Sequence, residues 1–366
     1  MRIAVVGGGV MGCSVALAVA ERGAEVVVLE RAVPGAEASS AAAGILGAQV
    51  ELHGPEDDGG ADVDLFVRAR RGWEEWSRAL REASGIDVGY RVSGVLRLAR
   101  DADERRLAEA EVAWQRAAGL RVELLEERAA RSLEPELGPA VAAVHFPEDA
   151  QVDPPALLRA LIAALARHRR ITVHAGATVA RLLVEKGRCV GAELDGGPLH
   201  ADATVLAAGS WSSLVPGVPV GLPAVRPVRG QIVLLEERPP RLRSIVFGAG
   251  GYVVPRGDGR VVCGSTMEHA GFRREVTAGG VHSILSSALA CAPSLGDAQL
   301  AGTWSNFRPQ VDGPRPLVGA CELPGLFLAT GHHRNGILLS RITAQAVAEA
   351  IFAGPTSPAL GAPLKG

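Results

Sequence analysis

Apolar residues follow two rhythms along this chain, and the switches between them mark its elements. Residues 2–6 (RIAVV) and 24–30 (AEVVVLE) are short apolar runs, and between them 13–22 reads as a helix closed by Gly23. A strand, turn, helix and strand within about thirty residues is the size of a right-handed parallel crossover. Helical spacing returns in 68–83, where Trp73, Trp76 and Leu80 share a face and Gly85 lies just past the end. Asp101 and Glu104 form a capping box for a helix running toward Gly119, and Asp153 as N-cap before Pro154 opens another with Leu157, Leu161 and Leu165 on one stripe. A last amphipathic helix is predicted over 342–352.

Period-two segments fill the remainder. SGVLRLAR reads as a strand, ITVHAGATVARLLVEKGRCVGAELDGG as a strand and hairpin, and ATVLAAG as a buried strand. Beyond Pro216, RGQIVLLE and GYVVPRGDGRVVCGST predict an antiparallel sheet with Gly-Asp-Gly turns. SSAAAGILGA reads as a loop leading into a helix start, and the acidic stretch 53–64 (HGPEDDGGADVD) as a surface loop.

Composition narrows the function. With 366 residues, 48% of them apolar, the chain can bury two cores, so two domains are expected. A net charge of −2 leaves no basic footprint for nucleic acid or an anionic membrane surface, which points to small-molecule partners. The five cysteines are odd in number, scattered and without a CxxC pair, arguing against disulfides or zinc and for a reducing cytoplasm. Arg2 before an apolar stretch mimics a secretory signal, but Gly7, Gly8 and Gly9 interrupt the helix such a signal needs. No other run reaches membrane-spanning length without charges.

Gly7-x-Gly9-x-x-Gly12 follows a predicted strand and opens a helix, the context of a dinucleotide-binding turn. Glycines there permit a sharp turn and a close approach to pyrophosphate, and the helix N-terminus offers unpaired N–H groups. Glu30, at the end of the second strand, supplies a carboxylate for ribose hydroxyls. This pattern serves NAD and FAD alike.

The segments VVGGGVMG, LERAVPGAEASSAAAGIL, VLAAGSW, YVVPR, FRPQVDGPRPLVG and GHHRNGILL, in that order, resemble the D-amino-acid oxidase superfamily of flavoproteins, and within it the glycine oxidases of the thiamine pathway. The resemblance spans essentially the whole chain. It implies a mixed α/β fold: a discontinuous, Rossmann-like FAD-binding domain (1–88, 146–218 and 308–366) and a mainly antiparallel substrate domain (89–145 and 219–307). It also implies oxidation of a small amino acid to an imine, then an oxoacid and ammonia, with dioxygen reduced to hydrogen peroxide. Sarcosine, a D-amino acid, or a same-fold dehydrogenase using another electron acceptor are the alternatives. Relatives of this kind are often homo-oligomers.

Site residues follow from the same resemblance. The pyrophosphate lies near Gly7, Gly9, Val10, Met11 and Gly12, the ribose near Glu30 and Arg31, and further flavin contacts fall to Ser39, Ser40, Ala43, Gly44, Ile45 and Gly209. Val179 meets the adenine through its backbone, and His332, His333, Arg334, Asn335, Gly336, Ile337 and Leu338 wrap the pyrimidine end. Arg308 matches the carboxylate-binding arginine, Tyr252 its hydroxyl partner and Arg334 a second substrate-side arginine, while Met267 lines the pocket over the flavin. A planar guanidinium suits a carboxylate because it offers two parallel hydrogen bonds; the rival reading of either arginine is a structural ion pair. Adjacent histidines without a third ligand make a poor zinc site, and His333, standing where relatives carry an aromatic residue, reads as a filling residue rather than an acid/base. Gly250 and Gly251 stand where relatives are bulkier, and Asn306 and Gln310 where they are smaller, so glycine is the leading substrate but a larger amine also fits. Ser305 aligns with the cysteine that anchors flavin in covalent relatives, so FAD is expected to bind non-covalently.

Overall fold

The opening apolar runs form parallel neighbours, Arg2–Val6 and Glu25–Glu30, with the helix Val10–Glu21 crossing between them. The computed structural model describes residues 1–52, 61–248, 250–313 and 315–353. In the six-stranded sheet built on this unit the order is Leu317–Ala320, Leu326–Thr330, Ala203–Leu206, Arg2–Val6, Glu25–Glu30, Ile171–Ala175. All its pairings are parallel except the first. Helices Val10–Glu21, Pro154–Arg167 and Gly336–Ala353 share one core cluster with residues of its strands, which explains their near-continuous apolar runs. The opposite face carries the three-stranded meander Val179–Glu185, Arg188–Leu194 and Gly197–His200, whose first turn places Lys186 and Gly187 at φ 48 and 74.

The second large sheet has eight strands, in the order Gln299–Val311, Val225–Glu236, Arg260–Gly264, Gly251–Pro255, Ile245–Gly248, Val95–Ala99, Ala142–Phe146, Glu123–Glu126. It is antiparallel apart from the pairing of Ile245–Gly248 with Val95–Ala99. The fold is thus mixed α/β, a Rossmann-like parallel sheet beside a mainly antiparallel one. Each sheet draws on separated stretches of chain.

Six local expectations change. The helix predicted over 68–83 is two, Ala61–Arg71 and Trp73–Ser84. Arg341 of the last helix donates to the Gly72 carbonyl, and Trp73, fully buried, donates from Nε1 to the Leu338 carbonyl at 3.0 Å; the Gly72 amide still donates to the Arg68 carbonyl at 3.2 Å and its carbonyl accepts from the Trp76 amide at 3.1 Å, so the two helices meet end to end at Gly72. The acidic stretch 53–64 lies outside the described residues over 53–60, and its end is already helical from Ala61. SSAAAGILGA contains a short helix, Ala38–Ala41, and a strand, Ile45–Leu46, in place of a loop. Asp153 does not cap its helix by side chain; its carboxylate accepts from Arg260 at 2.9 Å, tying the helix start to the eight-stranded sheet. The capping box at Asp101 forms only in part: Asp101 accepts from the Asp103 and Glu104 amides, but Glu104 reaches back to the Arg100 amide at 2.8 Å.

The last helix begins at Gly336 and not at residue 342, so the histidine-containing loop is its N-terminal approach. It has the length and composition of a membrane span, but 56% of it is buried within the fold, as befits a core element.

Candidate active site

The strand Arg2–Val6 is the switch point of the six-stranded sheet, with the chain crossing to Glu25–Glu30 on one side and to Ala203–Leu206 on the other. A cavity of about 380 Å³ opens at the C-terminal ends of these strands, lined by Val6, Leu29, Ala207 and Ala329. Gly7 turns the chain at φ 109, and a Cβ there would sit 2.4 Å from the Ala207 carbonyl oxygen. Gly12 serves the packing beneath the turn. Its Cβ would meet the Gly7 carbonyl at 1.9 Å, so it lets the helix start lie on the turn and does not itself line the cavity. Glu30 holds the loop, accepting the Gly8 amide at 2.9 Å and the Ala32 amide at 3.0 Å, and lone pairs remain on its two oxygens for hydroxyl donors. The Ser39 hydroxyl accepts the Val10 amide at 3.0 Å, binding the helix Ala38–Ala41 to the mouth of the glycine turn.

Most residues singled out in the sequence line this one cavity. Gly7, Gly9, Val10, Met11, Glu30, Arg31, Ser39, Ala43, Gly44, Ile45, Val179 and Gly209 do, together with His332, His333, Arg334, Asn335, Gly336 and Ile337, and on the eight-stranded sheet Tyr252 and Arg308. Four do not. Besides Gly12, Ser40 turns its hydroxyl to the Glu37 carbonyl, and Leu338 is buried with its carbonyl committed to Trp73. Met267, expected in the pocket over the flavin, is 58% exposed and lines a neighbouring cavity of about 880 Å³. It follows the strand Arg260–Gly264, whose exit carries it past the boundary between the two spaces.

That boundary is the chemically distinctive place. Tyr252, Ser265, Arg308 and Arg334 line both cavities. Arg308 donates to the Ser265 hydroxyl at 2.6 Å and to the Thr266 carbonyl at 3.1 Å, and no carboxylate among the described residues lies within ion-pairing distance. Two of its five N–H groups are used by these bonds, which leaves others for a ligand. Burial pulls its pKa below the usual value, the nearby Tyr252 hydroxyl opposes that shift and Arg334 adds to it; a guanidinium so placed stays charged at neutral pH. Two glycines make this geometry possible. A Cβ on Gly230 would lie 2.3 Å from the Arg308 Nη1, and one on Gly264 would lie 2.5 Å from the Tyr252 hydroxyl.

Arg334, in contrast, is engaged in an ion pair, its Nη2 donating to Glu51 at 2.9 Å. Asn306 is buried and turns its side-chain carbonyl to the Phe307 amide, and Gln310 pairs by backbone bridge with His332. Gly250 and Gly251 line the second cavity.

The two histidines separate. His332 Nε2 lies 2.9 Å from the Thr343 hydroxyl, its Nδ1 is buried without a partner, and burial pushes its pKa down to about 3. His333 sits at φ 47, its Nε2 likewise buried and unpartnered, with its pKa pushed down to about 4 by burial and by Arg308 and Arg334. Both rings are neutral at neutral pH. Sequence reasoning missed Gly230, Ser265, Glu51 and Trp211, over which Arg31 stacks at 3.9 Å. Only Trp211 carried a signal, in the GSW segment next to Gly209.

The family described as FAD dependent oxidoreductase matches residues 2–350. A glycine oxidase of Geobacillus kaustophilus is 35% identical, over 95% of this chain and 92% of its own. The bifunctional protein ThiO/ThiG of Nostoc sp. is 34% identical over 98% of this chain, which spans about half the length (54%) of that relative. The crystal structure of glycine oxidase from Bacillus cereus superposes with a TM-score of 0.90 at 32% identity, covering 97% of this chain and 96% of that one. The chain belongs to the FAD dependent oxidoreductase family and is glycine oxidase-like. Its cavity suits the cofactor. The glycine turn lets the backbone at Gly7 and Gly9 form the cavity wall without side chains, an acidic residue stands at the second strand's end, and two unpartnered ring nitrogens sit in the loop before the last helix.

Proposed function

We propose that this protein carries out FAD-dependent oxidative deamination of glycine or a similarly small amine, such as sarcosine or a small D-amino acid. The products are an imine, then an oxoacid and ammonia (methylamine from sarcosine), with dioxygen reduced to hydrogen peroxide. The observation that carries the reading is Arg308: a guanidinium lacking a carboxylate partner among the described residues, oriented by Ser265 and Thr266, at the boundary of the two cavities. Similarity to the glycine oxidases of Geobacillus kaustophilus and Bacillus cereus supports the same substrate class.

Bound FAD supplies the two-electron acceptor for a hydride from the substrate Cα. This chain's own groups do the positioning. Arg308 takes the substrate carboxylate through paired N–H donors, and the Tyr252 hydroxyl donates to the same group. His333 adds bulk beside them, and with its pKa pushed down to about 4 it is too weak a base to hold the substrate's ammonium proton, so the amine loses that proton to solvent before the reaction. The start of the helix Gly336–Ala353, where Gly336 and Ile337 line the cavity, would favour negative charge on a group held there. We assign the glycine turn, Glu30, Ser39 and Ala43–Gly44–Ile45 to the cofactor, within a domain of residues 1–88, 146–218 and 308–366. The boundaries at 146 and 308 fall within the strands Ala142–Phe146 and Gln299–Val311. None of the five cysteines lines either cavity and the Ser305 hydroxyl donates to the Arg274 carbonyl, in keeping with non-covalent flavin.

An anaerobic panel of glycine, sarcosine, D-alanine and D-proline, followed by visible absorbance, tests the reading. Small amino acids should bleach the protein, and air should then yield one peroxide per turnover. Bleaching by none of them would overturn it, and bleaching without peroxide would make the protein a dehydrogenase.

A further inference from the structure

We propose that Glu51 sets how many carboxylates the substrate carries: by holding Arg334 it leaves Arg308 as the one cation at the boundary with no ion-paired carboxylate among the described residues, so the site takes monocarboxylic amines and turns away dicarboxylic ones. This rests on the reading that Arg308 holds the substrate carboxylate.

Most of the charge around the two cavities is already balanced. The other arginines facing either cavity are committed: Arg31 to Glu37 at 2.7 Å, Arg97 to Glu111 at 2.6 Å, and Arg100 to Glu104. At the boundary itself stand two guanidinium groups, Arg308 and Arg334, and the Glu51 carboxylate reaches Arg334 at 2.9 Å from the wall of the first cavity. The pair is not an idle surface bridge, since the Glu51 side chain is only 14% exposed and lines the cofactor cavity.

Glu51 is also held in place. The Gln49 and Val50 amides donate to the Asp149 carboxylate at 3.2 and 3.0 Å, and Asp149 is paired at 2.8 Å with Arg70, both of them buried. The Val50 carbonyl accepts from Arg97. The backbone just before Glu51 is thus fixed by buried groups, which limits how far its carboxylate can withdraw when a second anion arrives. Among the described residues a second substrate carboxylate has only Arg334 to turn to, and there it meets Glu51. In a partly desolvated site, two like charges with one cation between them discriminate strongly.

Wild type, Glu51→Gln and Glu51→Asp are compared as flavin-loaded proteins, with kcat/KM from flavin reduction by glycine, iminodiacetate and D-aspartate. Glu51→Gln should raise the ratio of iminodiacetate or D-aspartate to glycine by at least about tenfold, because Arg334 is freed. Glu51→Asp, which keeps the charge but falls one methylene short of Arg334, should lie between wild type and Glu51→Gln, and adding Arg334→Gln to Glu51→Gln should erase the gain. A Glu51→Gln protein that keeps its flavin and its glycine oxidation with an unchanged ratio overturns the proposal; so does one that emerges colourless, since Glu51 would then be a structural part of the cavity wall. A wild type inert to every monocarboxylic amine defeats the functional reading instead.

Discussion

At the scale of the residue, the site depends on side chains kept short so that others can reach. Gly230 has no chemistry of its own, yet a methyl group there would fall on the Arg308 guanidinium. Because the displaced atoms are the far end of a flexible side chain, Gly230→Ala should fold normally and keep its flavin while KM for glycine rises by about tenfold or more; steady-state kinetics and flavin content on one sample check both halves. Arg308 and Tyr252 were legible in the sequence through their motifs. Gly230 and Ser265 were not, because their roles come from strand register, Gly230 opposing Asn306 two positions from Arg308.

His332 makes a pH prediction with a definite sign. Its folded pKa of about 3 lies below the ordinary value of 6.5, so the unfolded chain binds a proton that the native state refuses. The stability it contributes is complete above pH 6.5 and declines as pH falls toward 3, by up to about 1.4 kcal/mol per pH unit. Thermal melts from pH 7 to 4.5 should therefore show a shallower fall in Tm for His332→Gln than for wild type; parallel curves would mean that His332 titrates normally.

At the scale of the element, local signals read well and tertiary ones did not. The strand Arg2–Val6, its glycine turn, the helix and Glu30 lie within thirty residues, so spacing alone revealed them. The division at Gly72 escaped because its backbone remains in the right-handed helical region, φ −75 and ψ −11, and helix-type main-chain bonds run across it. The start of the last helix escaped because His333 at φ 47 and its polar neighbours resemble a loop. Gly12 tests the element as a unit: with the Gly7 carbonyl 1.9 Å from an added Cβ, Gly12→Ala must lift the helix off its turn. That variant should lose flavin and at least about 2 kcal/mol of stability, measured by denaturant unfolding.

At the scale of the whole molecule, two sheets of different kinds meet along one site, each supplying what the other lacks. The parallel sheet brings a glycine turn and helix N-termini at a switch point, and the antiparallel sheet a fixed guanidinium and a tyrosine. The order of motifs along the chain foretold this division. It did not foretell that Met267 would face the outer cavity, nor that Glu51 would reach across to Arg334, because both depend on how loops cross the junction.

Titration of the flavin-loaded protein with glycine under anaerobic conditions, wild type beside Arg308→Leu, tests the central claim most directly. We predict equal flavin content in the two proteins and bleaching of both, with the half-saturating glycine concentration raised at least about a hundredfold in the variant. Equal half-saturation in both proteins, or loss of flavin together with loss of glycine response, would contradict it.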